Sequence, residues 1–201
     1  MSVPSVFSVA RILMRASLAA ALLLFAMAAP AAVQERPDVE ERAQLTQAII
    51  NAQSFQDRFD AEVWLTDMAT RLKSWDDIPV TERMQILKIV HQEAMHVGIT
   101  PELILSLIQV ESNFDRFALS SAGARGLMQV MPFWLDELDR PNDDLFDIRT
   151  NIRFGCIILK HYMDRERGNH ARALARYNGS TGKLWYPTRV FDAMRTRWYL
   201  Q

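Results

Sequence analysis

This chain of 201 residues has a single cysteine, Cys156. One thiol cannot close an intrachain disulfide, so the fold must hold by packing alone. Its place in the apolar run 154–159 marks it as a small buried hydrophobe. Glycine is also sparse, with seven residues, and none forms a phosphate-cradling loop or a Gly-x-Ser-x-Gly elbow. The four histidines (His91, His96, His161, His170) make no His-Glu-x-x-His pair, which leaves a zinc hydrolase without its ligands. There is no internal repeat and no low-complexity tract. No metal and no cofactor are expected.

Charge of one sign is lacking too, since the formal net charge is only −1. Acidic residues nevertheless collect in 35–148 and basic ones in 149–201, where eleven Lys and Arg face three acids. Such a basic third suits an anionic polymer. Export and the absence of interleaved aromatics argue against nucleic acid, and solvated helix faces account for the charge more simply.

Export is indicated at the start of the chain. Arg11 and Arg15 precede an uncharged run from Ala16, followed by the small-residue patterns Ala26-Met27-Ala28 and Ala29-Pro30-Ala31. Residues 1–32 therefore read as a signal peptide, which places the protein in the periplasm or cell envelope. An uncleaved signal anchored in the inner membrane is the alternative. With no cysteine at that junction, lipid modification there is excluded. The remainder is enough for one domain with a real core, read as an N-terminal helical segment at 33–78 and a main domain at 79–201.

The pattern after the leader is that of an all-α protein. Apolar positions at Leu45, Ile49, Phe59, Val63, Leu65, Met68 and Leu72 share roughly one helical face, best explained by packing on the domain. Trp75-Asp76-Asp77-Ile78-Pro79 interrupts it. Thr81 suits an N-cap and Gly98 a helix stop, and Thr100-Pro101 opens another helix with proline at its first position. A very small β-hairpin is expected near residues 117–126.

Glu111 ends the apolar helix bearing Leu103, Leu107, Ile108 and Val110. A carboxylate at the negative end of a helix dipole, in apolar surroundings, is raised above its free pKa of about 4.3. That is what a general acid working near neutrality requires. Ordinary glycosidases pair two carboxylates about 5–5.5 Å or 6.5–9.5 Å apart. The nearest second acid, Asp115, belongs more naturally to a turn, and Asp136, Glu137 and Asp139 follow on a solvated segment. With no convincing second carboxylate, a nucleophile supplied by the substrate is the economical reading, an exception that the two-carboxylate rule allows.

Glu111-Ser112-Asn113-Phe114, the stretch 118–125, Gly126-Leu127-Met128-Gln129-Val130-Met131-Pro132 and Tyr177-Asn178 resemble, in order and spacing, the core motifs of the soluble lytic transglycosylases. The resemblance covers about 83–192. Asn151-Ile152-Arg153-Phe154-Gly155 and Tyr186-Pro187-Thr188-Arg189-Val190 add family-like pieces. It implies a goose-type, lysozyme-like fold and cleavage of peptidoglycan glycan strands between N-acetylmuramic acid and N-acetylglucosamine, leaving 1,6-anhydromuramic ends. Glu111 would be the sole acid and then base. Ser112 would orient its carboxyl or the substrate's acetamido group. Met128 and Gln129 would line the sugar site, Tyr177 would approach the Glu111 carboxyl, and Asn178 would hold the loop or ligand.

Each supporting residue also has a plain structural reading: Met128 and Met131 as core filler, Gln129 as a turn cap, Tyr177 as a buried helical aromatic, Asn178-Gly179 as a turn. The chain departs from the usual Ala-Tyr-Asn-Ala-Gly, having Arg176-Tyr177-Asn178-Gly179-Ser180. Rival functions are a hydrolytic goose-type lysozyme, a non-catalytic peptidoglycan-binding module, and a space-maker for a secretion machine. A monomer is expected, with a cell-envelope or secretion-machinery protein as candidate partner.

Overall fold

The computed structural model describes residues 58–199 together with Val39. The leader and most of the segment 33–57, including Leu45 and Ile49, lie outside the described residues. Among the described residues seven α-helices follow one another: α1 (Arg58–Arg71), α2 (Val80–His96), α3 (Pro101–Glu111), α4 (Phe133–Glu137), α5 (Ile148–Arg165), α6 (His170–Asn178) and α7 (Trp185–Ala193). A 3-10 turn (Leu72–Ser74) extends α1, and a π-helical turn (Met194–Trp198) extends α7.

The helix ends follow local chemistry. α2 stops in a Schellman arrangement, with Gly98 at φ 71°, its N–H on Met95 O at 3.1 Å and the Ile99 N–H on Ala94 O at 2.9 Å. Asp147 caps α5 by accepting from Thr150 N, and Asn169 caps α6 by accepting from Arg172 N. Pro101 begins α3, as expected. Thr81 does not cap α2. The N-cap position falls two residues earlier, at Pro79, whose carbonyl already accepts from Arg83 N at 3.0 Å, and the helix starts at Val80.

α3 runs through the middle of the core, with Leu103, Ile104, Leu105, Leu107 and Ile108 buried. It packs against α7 and the π turn, while α5 packs against α2 and α6. Trp64, Met68 and Leu72 join the same core, so the described part of the N-terminal segment is packed on the rest. Glu93, buried on α2, is held by Arg149 at 2.9 Å and Arg153 at 3.2 Å from α5, which satisfies a charge that would otherwise be costly inside. Cys156 is fully buried and its thiol is pushed up by burial, so it is packing material and not a nucleophile.

Among the described residues there is no strand. The hairpin expected near 117–126 is reduced to two isolated bridges, Leu119 with Arg125 and Arg125 with Val130. Nor is any helix of these residues long and apolar enough to cross a membrane.

Candidate active site

Glu111 is the last residue of α3 and is half-buried. Burial pushes its carboxyl up to about 7 against hydrogen bonds from Tyr186 and Asn178 and the charge of Arg189, which pull the other way. The direction is the one a proton donor needs. Tyr186, on α7, donates its phenolic proton to Glu111 Oε1. It is itself buried, and burial and the neighbouring carboxylate push its hydroxyl far up, so it remains a donor at any working pH.

The chain beyond Glu111 turns sharply. Asn113 and Phe114 both have positive φ, 51° and 66°, a conformation that costs a non-glycine residue about 1–2 kcal/mol. Packing from both ends of the described chain holds them there. Trp75 Nε1 donates to Asn113 Oδ1 at 2.9 Å, and the Phe114 ring sits 4.9 Å from that of Trp75 and 5.5 Å from that of Trp198. Trp198 Nε1 donates in turn to Gln109 Oε1 on α3 at 2.7 Å. Arg71 ties the ends together by donating to Arg197 O at 2.8 Å.

The loop carrying Met128 and Gln129 is locked from beneath by Asn151, a buried residue of α5. Its Oδ1 accepts from Met128 N at 2.7 Å, and its Nδ2 donates to Arg125 O and Leu145 O, each at 2.8 Å. Gly126, at φ 72°, lies so close that a Cβ there would meet Asn151 Nδ2 and Leu145 O at 2.5 Å.

The other predicted residues fall in different places. Ser112 Oγ lies 2.8 Å from Leu127 O and 3.1 Å from Ile108 O, so its proton ties α3 to the loop and does not go to the Glu111 carboxyl. Met128 is fully buried with its sulfur against Gly155. Gln129, at φ 50°, caps the loop by donating to Gly126 O at 2.9 Å and Ala118 O at 3.1 Å.

Tyr177 is close enough for the Glu111 charge to raise its hydroxyl further, after burial, but the hydroxyl donates to Met128 O at 2.7 Å. The phenol on the carboxyl is that of Tyr186, a residue of the family-like piece 186–190 to which the sequence assigned no role. Asn178 does reach Glu111, and its own Oδ1 is buried with no hydrogen-bond partner among the described residues.

The departures from the family pattern have local causes. Gly179 takes the left-handed cap of α6 at φ 76°, and the additional charge of Arg176 is turned onto Glu166. Asp115, the nearest second acid in sequence, is exposed and accepts from Phe117 N at 2.8 Å in a turn. No group of three or more metal-binding side chains is found among the described residues.

Residues 88–194 match the family described as Transglycosylase SLT domain. A membrane-bound lytic murein transglycosylase C of Serratia proteamaculans is 31% identical over 127 residues, covering 55% of this chain and 35% of the relative. One of the same description from Actinobacillus pleuropneumoniae is 50% identical over 48 residues, covering 24% and 13%. The chain thus spans about a third or less of the length of these relatives. Among solved structures, an inactive mutant of the lytic transglycosylase Slt from Pseudomonas aeruginosa aligns at a TM-score of 0.42 and 29% identity, over 54% of this chain and 21% of that one.

Proposed function

Since the chain belongs to the transglycosylase SLT domain family, we propose that it is a peptidoglycan lytic transglycosylase, with residues 79–201 as its catalytic domain. It cleaves the β-1,4 bond between N-acetylmuramic acid and N-acetylglucosamine. The observation that carries this reading is the Glu111 carboxyl, raised to about 7 by burial and gripped by the Tyr186 hydroxyl.

Glu111 gives its proton to the glycosidic oxygen as the bond from C1 of the muramyl ring breaks. The resulting carboxylate then takes the proton of that ring's own 6-hydroxyl as its oxygen bonds to C1. The 1,6-anhydro ring closes, the acid is restored, and no water is consumed. Two features favour this over a two-carboxylate hydrolysis. Asp115, the nearest second acid in sequence, is committed to a turn in solvent, and a sugar-supplied nucleophile is an accepted exception to the carboxylate pair.

The buried Asn178 Oδ1 without a partner is suited to an N–H or O–H of the bound sugar, since such an acceptor is costly when left unmet. Gln129, Ser112 and Tyr177 shape the site by fixing its loop. The site of action is the cell envelope.

Digestion of purified sacculi by the protein and by Glu111→Gln tests the reading, with products weighed by mass spectrometry. Anhydro-ended fragments from the parent alone are expected. Products heavier by one water would make it a hydrolase, and sacculi left intact by both proteins would make it a binding module.

A further inference from the structure

Arg189 lies three residues beyond Tyr186 on α7, one helical turn along the same side, and is exposed. Four other arginines of the basic third are occupied. Arg172 and Arg176 pair with Glu166, Arg195 pairs with Asp192, and Arg197 lies over the Trp75 ring and donates to Ser74. Arg189 makes no hydrogen bond or ion pair among the described residues, yet its charge is felt by both Glu111 and Tyr186.

That charge opposes the chemistry beside it. A cation near an acid favours the ionised form, and an ionised Glu111 cannot protonate a leaving oxygen. An anion brought by the substrate would neutralise the guanidinium when it is needed least. Muramyl rings differ from glucosaminyl rings by a 3-O-lactyl arm, whose carboxyl is either free or extended by a peptide bearing carboxylates of its own. In the proposed reaction the muramyl ring is also the one whose C1 faces Glu111, so its arm is carried on the sugar nearest the acid that Tyr186 holds, one turn from Arg189.

We propose that Arg189 is a substrate-binding residue that pairs with a carboxylate carried on the lactyl arm of the muramyl residue beside Glu111. It thereby selects muramyl-containing strands over uncharged N-acetylglucosamine oligomers. This assignment rests on the transglycosylase reading for its substrate and extends it to one group of that substrate. A planar guanidinium suits a carboxylate better than an ammonium does, because it can offer two parallel N–H donors.

The test measures binding by the Glu111→Gln protein, which leaves ligands uncut, with and without Arg189→Gln or Arg189→Lys. Three probes are compared: chitotetraose, a peptide-free N-acetylglucosamine–N-acetylmuramic acid tetrasaccharide, and the same tetrasaccharide carrying stem peptides. Arg189→Gln is expected to weaken at least one anionic probe roughly tenfold, as loss of a charge-assisted pair does. Chitotetraose should stay within about twofold, and Arg189→Lys should fall between. A loss confined to the peptide-free probe identifies the lactyl carboxylate, and one confined to the peptide-bearing probe identifies the peptide. Equal losses on all three probes, or none on either anionic one, overturn the assignment. Cleavage of sacculi by the protein with Glu111 intact is scored separately, so a failed transglycosylase reading is told apart from a failed Arg189 site.

Discussion

The Tyr186 phenol donates to the Glu111 carboxyl across 75 positions of sequence. It opposes the larger effect of burial on the same proton, and burial wins, leaving the acid at about 7. The phenol therefore holds the carboxyl in place and keeps its pKa from climbing beyond the working range.

Tyr186→Phe removes that bond while keeping the ring. A hydrogen bond to the charged form lowers a carboxyl pKa, so its loss should move Glu111 above about 7. The alkaline limb of the pH–rate profile, where the acid loses its proton, should move to higher pH. The maximal rate should fall by roughly 10- to 100-fold, the worth of a hydrogen bond to a charged group. An unmoved limb in kinetics on sacculi would contradict this.

Glu111→Gln should abolish cleavage and change stability in a pH-dependent way. The folded pKa is raised from 4.5 to about 7, so the folded state favours the protonated acid. Its stability is undiminished below pH 4.5 and falls as pH rises towards 7. Above that the ionised group costs up to about 3 kcal/mol. Denaturant titrations should find the Gln variant more stable than the parent at pH 8 and nearly equal to it at pH 4.5.

Asn151→Ala strips two hydrogen bonds from the loop at 125–128 and a third from Leu145 O, and leaves buried backbone groups unmet. A loss of about 2–4 kcal/mol is expected in urea unfolding. Gly126→Ala should be comparably harmful, because a Cβ there collides with Asn151 and Leu145 and φ is positive. Either variant unfolding at the parental midpoint would show that the lock is not structural.

Trp75→Phe keeps a ring against Phe114 and deletes the donor to Asn113. A loss of about 1 kcal/mol is expected, with a fall in kcat larger than any change in KM because the loop beginning next to Glu111 is loosened. Unchanged kcat in steady-state kinetics would place the bond outside catalysis.

Much of the helical plan is legible in the residues. Gly98, Pro101 and the apolar stripe of α3 announce their roles locally, and Glu111 at the end of that stripe follows from periodicity. Thr81 misleads because the Pro79 carbonyl starts α2 two residues sooner than a Thr81 cap would. The partners of Glu111 are less legible, because they arrive by tertiary packing. Tyr177 and Tyr186 lie on packed neighbouring helices, and nothing in either segment says which phenol meets the acid and which meets Met128 O. Asn151 likewise shows its function only when α5 slides beneath the loop.

Trp75 and Trp198 both lie outside the stretch 88–194 shared with the family, yet their rings are what press Phe114 into place. A fragment trimmed to the family boundaries would keep the acid, the phenol and the loop while releasing the backbone just past the acid from its two indole wedges. The smallest piece worth expressing for enzymology is therefore bounded by these tryptophans, and a family-length truncation is expected to fold loosely and turn over poorly.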